Sequence, residues 1–301
     1  MPDLSGERVL VTGGAGFIGR SVVAGFVGAG ATVRVLDQLE SHFDQAETVL
    51  GDVCDPAVRE KAVTPDLTGI VHLAAITSVL GSLQQPARVH QVNVEATAGL
   101  LELARVNGVR KVLMSSTNAV VGDVGERTIH EDLPLRPLTP YGATKAAAEM
   151  LLSGYAGGYG MVTAALRLTN VYGPGMAHKD SLVPRIMRAV RAGTPLQVYG
   201  DGTQRRDFVH VDDVVSAVLA AWHQDVTGSL IVGSGRSVSV LDVLAEVGAV
   251  TGSPVRVEHV DPKPGEMPAV IVSVDKARRL LGYTPSVDLA EGLKTVWSEF
   301  K

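Results

Sequence analysis

Six short runs of β-branched and aliphatic residues recur through the first half of the chain. They are RVLVT at 8–12, TVRVLD at 32–37, TVLGD at 48–52, GIVHLAA at 69–75, VRKVLMSS at 109–116 and TAALRLT at 163–169. Each reads as a strand covered on both faces. Helical stretches, such as 18–28 and 92–107, separate them. Buried strands alternating with helices require right-handed crossovers, and so a parallel sheet with helices on both sides. Beyond Gly173 the pattern loosens, punctuated by Pro174, Pro184 and Pro195. Helices are expected there at 182–191, 212–222, 240–251 and 288–300, with a strand at 229–232. The expected class is α/β, with a smaller mixed C-terminal lobe. Residues 1–170 would form the first domain, with the chain returning to it in part of 196–232. Residues 171–301 would mainly build the lobe, interleaved with the sheet.

Composition narrows the function. The 301 residues are 46% hydrophobic, without an apolar run of membrane-spanning length. MPDLSGERVL lacks a basic region followed by an apolar core, so no signal peptide is expected. The one cysteine, Cys54, allows neither an internal disulfide nor a cysteine metal cluster. A net charge of -5 gives no general attraction for nucleic acid. These features point to a cytoplasmic protein acting on small molecules, with no metal site and no membrane or nucleic-acid partner.

VTGGAGFIG, at 11–19, follows the first strand and opens the first helix. Gly13, Gly16 and Gly19 permit a tight turn, close approach of backbone to phosphate, and close packing of helix on strand. With Phe17 and Ile18 they make a helix N-terminus suited to a pyrophosphate. The second strand ends at Asp37, where a carboxylate can accept hydrogen bonds from an adenosine ribose. An acid there repels a 2′-phosphate, which favours NAD over NADP; Arg20 and Arg34 are nearby cations that could blunt the preference, but neither occupies the strand end. The fold is therefore expected to be a Rossmann-type doubly wound sheet. Asp52 and Val53 end the next strand, where an adenine amino group would lie; the alternative for Asp52 is a cap on the helix entered at Asp55 and Pro56. Leu73, Ala74 and Ala75 end the fourth strand with side chains that let backbone approach a cofactor. His72, between apolar neighbours, reads as a packed core histidine.

Tyr141 and Lys145 lie near the start of a helix whose expected first turn contains Pro140. Their spacing puts both side chains on one helical face. A buried ammonium beside a phenol, next to a cationic nicotinamide ring, favours phenolate and lowers the tyrosine pKa towards neutrality. Such a phenolate can remove a proton from a sugar hydroxyl while hydride leaves the carbon. Thr117 ends the fifth strand, at the edge of an open parallel sheet where ligands bind, and can donate to or relay from that hydroxyl.

GGAGFIG, GDV, HLAA, SST, YGATK, RLTNVYGPG, GDGTQRRDFVHVDD and KPGEMP occur in one order along nearly the whole chain. In this it resembles the extended short-chain dehydrogenase/reductases, and among them the NAD-dependent nucleotide-sugar epimerase/dehydratase family. The resemblance implies that Tyr141 and Lys145 carry the redox chemistry, that Thr117 assists, and that NAD stays bound. It places Asn93 in support of the cofactor, Asn170 and Arg206 on the nucleotide diphosphate, and Gln197 and Tyr199 around the base. Leu182 and Lys263 join the substrate set, Lys263 where many relatives carry arginine; lysine supplies charge without the planar fork. Relatives commonly form homodimers through two helices per subunit, here 92–107 and 141–158. Val94, Ala98, Leu101, Ala104, Ala147, Met150, Leu151 and Tyr155 would face the partner or the core.

Departures from the family pattern refine the expectation. Asn118 and Ala119 follow Thr117 where dehydratases carry acids, and Val120, Val121 and Gly122 replace the common VYG. What remains is chemistry at C4, resembling the UDP-hexose 4-epimerases. Thr117, Asn118 and the GMAHKDS loop, with His178 or Lys179 as a cation, suit a uronate, so UDP-glucuronate and UDP-galacturonate are favoured over UDP-glucose and UDP-galactose. The alternatives are a UDP-glucuronate decarboxylase, disfavoured by Ala119 where such relatives carry glutamate, and a non-catalytic NAD-binding regulator, disfavoured by the intact Tyr–Lys pair.

Overall fold

A computed structural model describes residues 2–41, 43–261 and 267–301. Its strands are β1 (Arg8–Thr12), β2 (Thr32–Asp37), β3 (Ala46–Leu50), β4 (Gly69–His72), β5 (Lys111–Thr117) and β6 (Val162–Leu168). The second half adds β7 (Asn170–Tyr172), β8 (Leu196–Tyr199), β9 (Arg205–His210), β10 (Gly228–Val232), β11 (Ser237–Ser239) and β12 (Val257–Val260). Seven of them make one sheet in the order β10-β6-β5-β4-β1-β2-β3, and every pairing in it is parallel.

Alternation along the strands explains the two layers of helices. Val9 and Val11 turn to one face and pack with Phe26 and Trp222 from the Phe17–Gly28 and Val211–His223 helices. Leu10 turns to the other, against Leu100 and Leu152 from the Ala96–Val106 and Pro140–Tyr159 helices. Each such side chain contributes roughly 1.5–3 kcal/mol by leaving water. Phe26 and Trp222 meet edge-to-face at 5.2 Å, the favoured aromatic geometry. The doubly wound sheet expected from the sequence is the observed one.

The second half builds a third core around Tyr172, Ile186, Met187, Val243, Leu293 and Phe300. A three-stranded sheet, β11-β9-β7, and a parallel pair, β12-β8, lie in it. Helices Leu182–Ala192, Val211–His223 and Val240–Thr251 lie where the sequence puts them; the last runs Leu289–Trp297 and ends in a 3-10 turn, Ser298–Phe300. Five short strands here, β7, β8, β9, β11 and β12, are not evident from sequence. In β8, Leu196 and Val198 are buried while Gln197 is exposed, too short an alternation to stand out.

Two local differences matter. The expected helix at 92–107 is entered through a π-helical turn, Gln91–Glu95, continuous with Pro86–His90 before it and Ala96–Val106 after it. Leu101 and Ala104, candidates for a partner-facing surface, are fully buried in the protomer core. The apolar groups left open on these helices are Val106, Met150 and Tyr159, exposed by 65%, 56% and 56%. No helix among the described residues is long and apolar enough to cross a membrane.

Candidate active site

In the sheet, β1 lies between β2 and β4. The chain runs outward from β1 through β2 and β3 and then crosses back to β4, so the strand order reverses beside β1 and a crevice opens at the carboxyl ends of these strands. Gly13 follows β1 with φ +72°, a conformation that glycine adopts without steric penalty. A Cβ at Gly13 would stand 2.7 Å from the Ala74 amide nitrogen, and one at Gly19 only 1.9 Å from the Gly13 carbonyl oxygen. The turn, the helix and the loop after β4 therefore close up only with glycine at these positions. Gly16 precedes the Phe17–Gly28 helix with no side chain capping it. Asp37 accepts from the Ala15 amide at 3.0 Å and the Leu39 amide at 3.1 Å, fixing its carboxylate at the end of β2.

A cavity of about 860 Å³ runs from this turn to the end of β5. Gly13, Gly16, Phe17, Ile18, Gly19, Asp37, Asp52, Val53, Leu73, Ala74, Ala75, Thr117, Tyr141, Lys145 and Lys179 all line it. The glycine cradle, the uncapped helix end and the acid at the strand end fit a dinucleotide together. Arg34 is not a counterweight: it bonds Glu47 at 2.9 Å, and also the Ala62 carbonyl and Thr64. Asp52 caps nothing; Asp55 is the helix cap, accepting from Ala57 at 2.9 Å. Asp52 instead accepts from the Cys54 amide at 2.8 Å and from Arg88 at 2.8 Å, and the Cys54 amide together with the Arg88 contact holds its carboxyl below the usual range.

The loop after β4 hangs on buried hydrogen bonds. Thr97 donates to the Asn93 carbonyl at 2.8 Å, so it accepts from His72 Nε2 at 3.0 Å. His72 Nδ1 then accepts from Thr12 at 2.7 Å, and Thr12 in turn accepts from the Ala74 amide at 3.2 Å. Burial, helped by the Lys145 charge, pushes His72 down to about 3. It is a neutral core histidine, as read from the sequence. Asn93 sits in the π-helical turn and does not line the cavity. Its side chain accepts from Ile76 N at 2.9 Å and donates to Ile76 O at 3.0 Å and Thr144 at 3.1 Å, clamping the loop to the neighbouring helix. A π turn re-aims one side chain in this way.

Thr139 and Pro140 start the Pro140–Tyr159 helix: Thr139 accepts from the Gly142 amide at 3.2 Å and Pro140 takes the first position. That start puts Tyr141 in the first turn and Lys145 one turn on, both buried. Lys145 Nζ donates to the Ser115 carbonyl at 2.8 Å, and Thr117 hydrogen-bonds the Tyr141 side chain. Burial pushes Tyr141 up to about 12, with the Thr117 bond acting against it. Burial pushes Lys145 down to about 8, with Glu149 acting against it. The expected fall of the phenol towards neutrality is therefore absent from the protein alone. Desolvation outweighs the Thr117 bond, and the Lys145 ammonium gives its hydrogen bond to a carbonyl.

Six other residues expected around the substrate lie outside this cavity's wall. Asn118 is buried and donates to the Leu168 carbonyl at 3.4 Å. Asn170 donates to the Asp207 carbonyl at 2.9 Å, and Arg206 donates to the Arg205 carbonyl at 2.8 Å. Gln197 and Tyr199 lie on β8, and Leu182 opens its helix. Lys263 lies outside the described residues. Conversely, Arg88 and Thr169 line the cavity without having been singled out. Thr169 had a signal, its place directly after β6; Arg88, in a short helix distant in sequence, had none.

The chain matches the model of the NAD dependent epimerase/dehydratase family over residues 9–233. It belongs to that family. A UDP-glucose 4-epimerase of Mycolicibacterium smegmatis is 36% identical, the match covering 96% of this chain and 97% of the relative. A solved structure of MoeE5 in complex with UDP-glucuronic acid and NAD superposes with a TM-score of 0.90 at 34% identity, over 97% of this chain and 99% of that one. A UDP-N-acetylglucosamine 4-epimerase from Methanobrevibacter ruminantium, in complex with UDP-N-acetylmuramic acid, gives 0.92 at 29% identity, over 100% and 99%. As a member of this NAD-dependent family, the chain has NAD as the dinucleotide to which its glycine cradle and Asp37 correspond.

Proposed function

We propose that this family member inverts C4 of a UDP-sugar through a transient 4-keto intermediate, making it an isomerase that keeps its NAD. The observation that carries the reading is the meeting of Tyr141, Lys145 and Thr117 in one cavity with the glycine cradle. Residues 1–170 with β10 would hold the cofactor, and the lobe would hold the nucleotide sugar. NAD, when bound, supplies a cationic ring that accepts the C4 hydride and returns it. Tyr141 takes the proton of the C4 hydroxyl as the carbonyl forms and gives it back on the return. Thr117 orients that hydroxyl through its bond to Tyr141, and the Lys145 ammonium, held on the Ser115 carbonyl, favours phenolate over phenol.

The favoured pair is UDP-glucuronate and UDP-galacturonate. Lys179 and Ser181 line the same cavity as Tyr141, offering a cation and a hydroxyl to a carboxylate. Arg188 supports this loop by donating to the Ala177 carbonyl at 2.7 Å and the Lys179 carbonyl at 2.9 Å. Ala119 after the catalytic threonine leaves no acid there to assist loss of carbon dioxide. A second copy of the chain is the proposed partner, meeting the face of Val106, Met150 and Tyr159. Pure protein incubated separately with UDP-glucuronate and UDP-glucose tests the substrate, with products resolved at C4. Exclusive use of UDP-glucose removes the uronate preference, a pentose product with carbon dioxide supports the decarboxylase, and no turnover of any UDP-sugar supports the regulator.

A further inference from the structure

The helix that carries Tyr141 and Lys145 brings in a third ionisable side chain one turn later, and the reaction above does not use it. Glu149 is only 5% exposed, and a carboxylate so placed is costly unless paired and hydrogen-bonded. Arg167, on β6 and 2% exposed, pairs it at two points: Nη2 to Oε2 at 2.7 Å and Nε to Oε1 at 3.0 Å. Ser116 donates to the same Oε1. Ser116 and Arg167 are register partners across β5 and β6, so the carboxylate ties the helix to two adjacent strands. Arg167 also donates to the Glu131 carbonyl at 3.3 Å.

Three rungs thus join one helix face to β5. Tyr141 meets Thr117, Lys145 meets the Ser115 carbonyl, and Glu149 meets Ser116. Contacts one turn apart fix both the rotation and the height of a helix over a strand. A buried ion pair of this kind adds little net stability over an apolar filling, because its attraction is offset by desolvation. Its direction and charge are what an apolar filling would lack.

We propose that the Glu149–Arg167 pair is a positioning element of the epimerisation site: anchored one helical turn beyond Lys145, it holds Tyr141 and Lys145 in register with Thr117. This rests on the epimerase reading. The ionisable groups around Glu149 and Lys145 are Arg167 from β6, Tyr141 from the same helix and His72 from β4. Glu131, whose carbonyl Arg167 bonds, turns its own carboxylate to the Ile231 amide, accepting at 2.8 Å. His72 is neutral, so Glu149 is the anion opposed to Lys145 and Arg167. Removing its charge leaves both cations without that anion and weakens the ammonium.

The test is Glu149→Gln in the NAD-loaded enzyme, read by kcat, KM and NAD content. The Lys145 titration is followed separately by NMR of ¹³Cε-lysine-labelled protein, with the signal assigned against Lys145→Ala. The expected result is a fall in kcat of about 10²-fold, the loss typical of a misplaced reacting group, with KM changed less than about twofold and NAD retained. The Lys145 titration, at about 8 in the parent, should fall by roughly one pH unit or more. Arg167→Lys should recover a smaller pairing than the fork gives, and an intermediate kcat. A folded Glu149→Gln enzyme with kcat and the Lys145 titration unchanged overturns the proposal. If that variant does not fold, Arg167→Lys carries the test, since it keeps the charge and loses the fork that grips the carboxylate. A fall in kcat of about tenfold at constant KM is then expected, and an unchanged kcat overturns the proposal. Should the parent invert no UDP-sugar, the epimerase reading fails and this inference falls with it, whereas a parent that turns over beside an unchanged Glu149→Gln enzyme sinks this inference alone.

Discussion

Tyr141 and Lys145 reach the crevice with pKa values displaced in opposite directions, about 12 and about 8, and burial drives both. In the protein alone at neutral pH the phenol keeps its proton and the lysine is charged. Tyr141→Phe should lower kcat by on the order of 10²–10⁴-fold while NAD stays bound, measured by turnover and by the absorbance of released cofactor. The Lys145 ammonium is present below about 8 and is lost above it. Accordingly kcat/KM should fall as pH rises through that value, and a rate that keeps rising beyond it would contradict the role. His72 offers a stability test. Its folded pKa of about 3 lies below the ordinary 6.5, so the unfolded chain binds the extra proton and stability falls as pH drops below 6.5. From pH 6.5 to 5 the loss should be about 2 kcal/mol, absent in His72→Gln, as compared by urea denaturation at the two pH values.

Among the elements, the strand–turn–helix at the start of the chain and the π-helical turn before Ala96–Val106 do different work. The first is a fit of backbone to backbone. Gly13→Ala would place a methyl group 2.7 Å from the Ala74 nitrogen in a left-handed conformation. NAD affinity should drop at least about tenfold, roughly 1.4 kcal/mol, by equilibrium titration, and an unchanged affinity would mean the cradle is elsewhere. The second works through side chains, because Asn93 satisfies both backbone groups of Ile76. Its role was named from resemblance, but its location in a π turn away from the cavity wall was not visible in the sequence. Period and propensity give a helix there; the π turn comes with hydrogen bonds from Asn93 to Ile76 and Thr144, partners distant in sequence.

For the whole molecule, the apolar groups left open beside the sheet frame the association proposed above. Met150→Glu combined with Val106→Glu should convert a dimer to a monomer in sedimentation velocity, and a parent that sediments as a monomer would overturn the association. Lys179→Met should lower the ratio of UDP-glucuronate to UDP-glucose turnover by about tenfold, since a charge-assisted contact is worth about 1.5–3 kcal/mol. An unchanged ratio would assign the loop around Lys179 to solvent.

What the sequence determined by itself was set by short-range rules. Near-continuous apolar runs dictated strands buried on both faces, the glycine spacing dictated the turn after β1, and Pro140 with the Tyr–Lys spacing dictated one reactive helix face. Those rules act within a few residues and need no knowledge of neighbours. Tertiary structure alone decided the pairings between distant segments: Arg88 on Asp52, Arg167 and Ser116 on Glu149, and β10 beside β6. It also decided that Leu101 and Ala104 fill the core while Met150 faces outward. Burial likewise turned the phenol pKa upward, because the cost of desolvating a charge depends on everything packed around it, which no local pattern records.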